Sequence, residues 1–147
     1  MSIIADKLKK VQDDVANACA KAGRSENSVK VIVVTKTAAI SSIQEVIRHG
    51  LIDLGENRVQ HLKQVADEVQ TFLNENQDEP TIPSRVHWHM IGHLQRNKVR
   101  QTLQLCKVVH SVDTLRLAEE INTQAYKLGI HTNVLLQVNC SGEAQKY

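Results

Sequence analysis

Apolar positions along the chain follow two alternating periods. Between residues 2 and 22 they recur every three or four positions, which predicts an amphipathic helix capped by Ser2 and ended by Gly23. Helical periods also follow a capping-box sequence at 42–45 and recur over about 59–72, 95–105 and 117–128. Short apolar runs between them predict strands at 31–35, 51–54, 86–91, 108–110 and 133–138. Residues 74–85 contain both prolines and no period, which predicts a surface loop.

These elements alternate strictly: one helix, four strand–helix pairs, and a final strand. The alternation predicts an α/β fold of parallel strands joined by right-handed crossovers. Two architectures fit, namely a complete five-stranded doubly wound sheet and the first five strands of a (β/α)8 TIM-type barrel. The pattern alone does not separate them. No linker long enough to divide the chain interrupts it, so residues 1–147 are expected to form a single domain.

Composition narrows the class of protein without identifying it. With 41% hydrophobic and 23% charged residues the chain is typical of soluble globular proteins, and a net charge of +2 does not by itself imply nucleic acid. Cys19, Cys106 and Cys140 are odd in number and widely spaced, which favours a reducing compartment, with the cytoplasm as the expected location. No apolar run approaches the roughly 20 residues that a membrane helix needs, so no membrane partner is expected.

A lysine ends the first predicted strand, where Val31–Thr35 is followed by Lys36. In parallel α/β proteins ligands bind just beyond the carboxyl ends of the strands. A partly desolvated amine at that position is a usable nucleophile toward an aldehyde. The alternative, favoured on this segment alone, is a lysine that simply marks where the strand reaches water. Other polar residues expected at the same edge are Asn57, His89, His110 and Asn139.

The three histidines around the third strand allow a metal site as an alternative. His87 and His89 would share one face of the strand, and His93 from the following loop could complete a zinc site. No carboxylate or cysteine lies nearby in the sequence, so histidines that line a site or the core are the favoured interpretation.

A stretch without acidic residues, from Thr81 to Val112, indicates a possible anionic partner. Its cations are Arg85, Arg96, Lys98, Arg100 and Lys107. A phosphate or a nucleic-acid backbone would suit such a patch, although a solvated helix face is the simpler interpretation. Only four aromatic residues are available for base stacking, which argues against RNA. The chain contains neither of the common glycine-rich phosphate loops.

Five motifs, in order along nearly the whole chain, resemble the pyridoxal phosphate homeostasis protein family of the YggS/PROSC type. They are Val34-Thr-Lys36-Thr37, Gly55-Glu-Asn57 with Val59-Gln60, Trp88-His-Met-Ile-Gly92-His-Leu-Gln-Arg-Asn-Lys98, His110-Ser-Val-Asp113, and Gln137-Val-Asn139 with Ser141-Gly-Glu143 and Lys146. The resemblance implies a (β/α)8 TIM-type barrel like the N-terminal domain of alanine racemase, preceded by an extra helix. It also implies pyridoxal 5′-phosphate (PLP) held as a Schiff base on Lys36, with Asn57 and His89 as neighbours of the ring and Lys146 near the site.

The function implied by the resemblance is that of a non-catalytic carrier that passes PLP to the apo-forms of PLP enzymes. Such a carrier is expected to be monomeric and not to bind nucleic acid. Arg58 stands where the family commonly has tyrosine. Family members are also longer, and their later strand–helix units hold the cofactor phosphate. The chain is therefore expected to be a C-terminally truncated barrel that binds PLP weakly or not at all, whereas the full-length protein would bind it well.

Two alternatives remain open. A racemase-like PLP enzyme would need a second base, a tyrosine in the racemases. Tyr126 falls on a predicted helix that faces away from the site, and Tyr147 is terminal. A cationic RNA- or protein-binding module rests only on the stretch without acidic residues.

Overall fold

A computed structural model describes residues 2–143 of the chain, so the predicted site residue Lys146 lies outside the described residues. The helices are α1 Ile3–Lys21, α2 Ile40–Arg48, α3 Val59–Glu75, α4 Val99–Leu105 and α5 Leu115–Leu128. The strands are β1 Val33–Val34, β2 Asp53–Glu56, β3 His87–Met90, β4 Cys106–Val112 and β5 Asn133–Leu136. Single 3-10 turns lie at Glu26–Ser28 and Arg96–Lys98.

The strand order distinguishes between the two predicted architectures. All five strands are parallel and pair in the sequential order β1-β2-β3-β4-β5. A doubly wound sheet reverses its strand order partway, so that helices cover both faces. Sequential right-handed crossovers instead place every connecting helix on one side, as in a barrel wall. The doubly wound alternative is therefore wrong, and the chain forms an arc of barrel-type α/β structure.

The hydrophobic core lies between the sheet and its helices. Leu54, Met90 and Val109 of three neighbouring strands are 0% exposed and pack against apolar residues of α2, α3, α4 and α5. Each side chain of this size that is fully buried contributes about 1.5–3 kcal/mol. The other side of the sheet, which we call the open face, carries Val34, Asp53, Gly55, His87, His89 and His110. Among the described residues no helix covers the open face, where Val34 is 49% exposed.

Helix ends follow the sequence signals in most places. Ser2 caps α1 by accepting from the backbone N–H of Ala5, Thr114 caps α5, and Gly129 ends α5 in the left-handed conformation. The predicted capping box at 42–45 is wrong, because the N-cap residue of α2 is Ala39 and the helix begins at Ile40, three residues earlier than the box predicts. Ile40 packs against the core, and this contact extends the helix past the polar signal.

Strand bounds differ from the apolar runs that predicted them. β1 contains two residues instead of the five predicted at 31–35, and it is not buried on both faces. Among the described residues β1 pairs with one strand, β2. Because β2 begins at Asp53, the pairing with β1 covers only Val33 and Val34. β2 itself continues to Glu56, past the predicted end at 54, because β3 pairs with it residue by residue. Cross-strand pairing therefore set these bounds.

Candidate functional site

Lys36 lies two residues after β1, at the carboxyl end of the sheet, as predicted. The backbone N–H of Thr35 donates to the carbonyl of Gly55 at 3.0 Å, and the Thr35 side chain turns toward the helices. By alternation Lys36 follows Val34 onto the open face. The side chain of Lys36 is exposed, so the expectation of a partly desolvated amine is wrong for the described residues. The reason is that β1 is an edge strand with a neighbour on one side only.

A buried carboxylate fixes the end of β1. Glu56 is 0% exposed, and its Oε1 accepts a hydrogen bond from the Thr35 hydroxyl at 2.5 Å. Its other oxygen, Oε2, lies 3.0 Å from His61 Nδ1 on α3 but makes no hydrogen bond to any described residue. A buried carboxylate without hydrogen bonds is costly, so the bond from the Thr35 hydroxyl ties Thr35 firmly in place. Glu56 therefore anchors the residue before Lys36, a role that sequence reasoning missed.

An apolar surface lies at the foot of Lys36. A Cβ added at Gly55 would lie 3.2 Å from Ile32 Cγ2 and 3.3 Å from Ile91 Cδ1, so these two side chains meet over the glycine. Together with exposed Val34 they form what we call the apolar shelf, made of Ile32, Val34 and Ile91. The apolar shelf offers an apolar surface on the open face, on the same side of the sheet as Val34.

Asn57 lies in the loop after β2 and is half-buried. It does not cap α3, whose N-cap residue is Arg58. The backbone of Gly92 approaches Asn57 so closely that a Cβ at position 92 would lie 2.2 Å from the Asn57 carbonyl oxygen. The Ser111 hydroxyl also donates to the carbonyl of Gly92 at 2.5 Å. The loops after β2 and β3 are thus locked against each other, and they position Asn57 beside the carboxyl end of the sheet.

His89 is the next-to-last residue of β3 and is 2% exposed, so it lies within the strand and not in the loop beyond it. His89 Nε2 lies 2.9 Å from Asp53 Oδ1, and His89 Nδ1 lies 2.8 Å from His110 Nε2. His110 is also inside its strand, since β4 continues to Val112. Both histidines still face the open face. By register His89 lies one level below Lys36, and His110 lies one level above His89 because His89 pairs with Val108. Cross-strand pairing placed them there.

Asp53 holds this cluster together and was not predicted from the sequence. Burial alone would raise the pKa of Asp53, but hydrogen bonds from His89 and Lys30 outweigh it and the pKa is lowered. Lys30 Nζ lies 3.0 Å from Asp53 Oδ2. Burial lowers the pKa of His110, and the charge of His89 lowers it further. The sequence did contain a signal for this role. Asp53 is an acidic residue inside an apolar run, and the strand that pairs with it carries two histidines two residues apart.

The histidines proposed as a zinc site are separated. His87 Nδ1 lies 3.4 Å from Asp53 Oδ1, whereas His93 Nδ1 lies 3.2 Å from Asp113 Oδ2 beyond the end of β4. Within residues 2–143 no group of three or more histidine, cysteine, aspartate or glutamate side chains is placed to hold a metal ion.

The cations of the stretch without acidic residues are also divided. Arg85 and Lys107 lie at the amino ends of β3 and β4, whereas Arg96 and Lys98 follow β3, at the carboxyl ends of the strands. They therefore do not form one continuous patch. Asn139 follows β5 and donates from its side chain to the carbonyl of Glu143 at 3.2 Å. None of the helices in the described part of the chain is long and apolar enough to cross a membrane.

Curated relatives resemble this chain along nearly all of its length. No protein-family model matches it. Proteins named pyridoxal phosphate homeostasis protein are 36% identical over 141 residues in Aquifex aeolicus and 35% identical over 146 residues in Pseudomonas aeruginosa. These alignments cover 96% and 99% of this chain but 57% and 58% of the relatives. The chain thus spans little more than half the length of the curated relatives it matches.

Solved structures show the same relationship. A protein described as unknown from Bifidobacterium adolescentis is 35% identical with a TM-score of 0.84, over 97% of this chain and 57% of the other. PipY of Synechococcus elongatus, solved with PLP bound, is 31% identical with a TM-score of 0.63, over 88% of this chain and 56% of its own. In sequence and in fold, the chain is a relative of the pyridoxal phosphate homeostasis proteins, as its motifs predicted.

Proposed function

We propose that this chain takes part in PLP homeostasis by holding PLP as a Schiff base on Lys36 and passing it to the apo-forms of PLP enzymes. The observation that carries the proposal is the position of Lys36, an exposed amine at the carboxyl end of a barrel-type sheet, above the apolar shelf. The PLP-bound structure of the related PipY supports the choice of ligand.

The described residues fit the aldehyde and ring of such a cofactor. When bound, PLP supplies an aldehyde that reacts reversibly with an amine. Lys36 offers that amine, and Ile32 and Ile91 offer an apolar surface that would exclude water from one face of a ring. Asn57, held against Gly92, could donate from its side-chain amide to a polar substituent of the ring. His89 would line the side of the site that faces away from the strand ends.

The chain is proposed to act as a carrier and not as an enzyme. Racemisation requires a second base opposite the lysine, and Tyr126, a tyrosine of α5, is 88% exposed on the helix side of the sheet. The related proteins are named for homeostasis, which agrees with a carrier. The carrier would work as a monomer in the cytoplasm, where the free thiols of Cys19, Cys106 and Cys140 stay reduced.

An absorbance titration tests the proposal. PLP added to the wild-type chain, up to saturation so that weak binding is also seen, should produce the visible band of a Schiff base. Lys36→Arg keeps the charge but cannot form the bond, so the band should disappear. Lys9→Arg, which changes an exposed lysine of α1, is the matched control and should keep the band.

Two results would contradict the proposal. One is a band of equal strength in wild type and Lys36→Arg, which would place the reaction on other amines. The other concerns catalysis, which is measured as exchange of the α-proton of alanine in D2O. Exchange faster with the wild-type chain than with free PLP would indicate an enzyme instead of a carrier.

A further inference from the structure

We infer that Asp53, His89 and His110 form a proton relay across the open face, in which His110 Nδ1 is the end where a proton enters and leaves. Asp53 acts in it as a positioning residue for His89, whereas His110 carries the proton between solvent and His89. The relay involves neither Lys36 nor a bound cofactor, so the inference goes beyond the proposed function and does not depend on it.

The geometry forms one continuous chain of contacts over three adjacent strands. Asp53 Oδ1 is 2.9 Å from His89 Nε2, and His89 Nδ1 is 2.8 Å from His110 Nε2. The two imidazole rings are tilted by 57° with centroids 5.1 Å apart, so they meet through their nitrogens and do not stack. His89, in the middle, is 2% exposed, which keeps water from replacing either contact.

The chemistry of the three groups fixes where the protons lie. The pKa of Asp53 is lowered, so its carboxylate is ionised near neutral pH and can only accept a hydrogen bond. His89 must therefore carry a proton on Nε2. His89 Nδ1 and His110 Nε2 then share a single proton. Two forms satisfy both contacts: His89 neutral with His110 as the donor, or His89 cationic with His89 as the donor.

One proton converts the first form into the second. A proton binds to His110 Nδ1, and the proton on His110 Nε2 passes to His89 Nδ1. His110 is again neutral, and the positive charge rests on His89 beside the Asp53 carboxylate. No bond other than N–H is made or broken, and the relay gains one proton in total. The reverse sequence releases that proton at His110 Nδ1.

Neighbouring charges favour the form in which the positive charge rests on His89. Lys30 Nζ occupies the second oxygen of Asp53 at 3.0 Å, which leaves Oδ1 facing the histidines. His87 Nδ1 lies 3.4 Å from the same Oδ1, but burial lowers the pKa of His87, and the charges of Lys107 and Arg85 lower it further. His87 therefore stays neutral near pH 7, and the carboxylate charge remains available to His89.

The relay also has a use at the site described above. An amine must lose a proton before it attacks an aldehyde, and His110, on the same face three strands away from β1, can take that proton through solvent. This use rests on the proposed function, whereas the relay itself does not.

Nitrogen NMR of the histidine rings tests the relay in the wild-type chain without any ligand. The expected signature is a scalar coupling across the N–H···N bond between His89 Nδ1 and His110 Nε2. The two rings should also titrate with one shared midpoint. If the coupling is absent and the rings titrate independently, the inference is wrong.

Two variants extend the test. Asp53→Asn keeps the shape but removes the charge that stabilises cationic His89, so the shared midpoint should fall by about one pH unit, a tenfold change. His131→Gln, which changes an exposed histidine before β5, should leave it unchanged. An unchanged midpoint in Asp53→Asn would overturn the relay. If Asp53→Asn does not fold, the wild-type coupling decides alone. A coupling found in a chain whose Lys36 does not bind PLP would leave the relay standing and remove only the proposed function.

Discussion

Replacing Gly92 by alanine should be among the most damaging small changes in the chain. The added Cβ would lie 2.2 Å from the carbonyl oxygen of Asn57 and 2.7 Å from its Cα. Both contacts are with backbone, which cannot rotate away, so the loops after β2 and β3 must separate. That movement would strain two hydrogen bonds, from the Ile91 N–H to the Glu56 carbonyl at 2.9 Å and from the Ser111 hydroxyl to the Gly92 carbonyl at 2.5 Å.

The expected cost follows from these contacts. Overpacking of this kind costs about 1–3 kcal/mol, and each weakened hydrogen bond adds about 1 kcal/mol. Gly92→Ala should therefore lower the free energy of unfolding by about 3–5 kcal/mol, measured by urea denaturation.

Gly23→Ala is the matched control for this measurement. Gly23 has a φ of +63°, but nothing lies within 4 Å of its Cβ position. Alanine there meets only the left-handed backbone strain of about 1–2 kcal/mol. If Gly92→Ala costs no more than Gly23→Ala, the close approach of Gly92 to Asn57 is not real and the locked arrangement of the two loops is refuted.

Three further changes have defined outcomes. Burial, together with the charge of Glu56, raises the pKa of the Cys106 thiol to about 12. A thiol reagent at neutral pH should therefore modify exposed Cys140 and leave Cys106 unreacted until the chain unfolds. Folding lowers the pKa of His87 from 6.5, so the unfolded chain binds the proton more tightly than the folded chain. The free energy of unfolding should therefore fall as the pH drops below about 6.5. His87→Gln should flatten this decline in urea titrations at several pH values. Thr35→Val removes the hydroxyl that donates to buried Glu56 and should lower the free energy of unfolding by about 1–3 kcal/mol, whereas an unchanged value would show that this bond is not formed.

The sequence predicted the fold best where the signals are local. Ser2 caps α1 through a contact within a few residues, as predicted, and Thr114 and Gly129 act over the same short range at the ends of α5. The strand bounds depend on partners far away in the chain. β1 shrank to two residues and β4 grew to seven because pairing with neighbours set their ends. The strand order depends on the same long-range contacts, so periodicity could not decide between a doubly wound sheet and a barrel.

The candidate site also contains residues that the sequence predicted and residues that it did not. The motifs identified Lys36 and Asn57, and both lie at the carboxyl end of the sheet. They did not identify Asp53 or Glu56, because a carboxylate in a strand gains a role only from the side chain that faces it on the next strand. The burial of His89 was missed for the same reason.

Peptide mapping after borohydride reduction tests the central claim most directly. The wild-type chain is incubated with PLP, reduced so that any Schiff base becomes a stable bond, and digested with trypsin. Trypsin does not cut after a modified lysine, so a Schiff base on Lys36 should give a labelled peptide that spans residues 31–48 without cleavage at Lys36. The label on Lys36 should clearly exceed that on Lys9, an exposed lysine of α1. Equal labelling of Lys36 and Lys9, or no label in the 31–48 peptide, would show that Lys36 is not the PLP-binding residue.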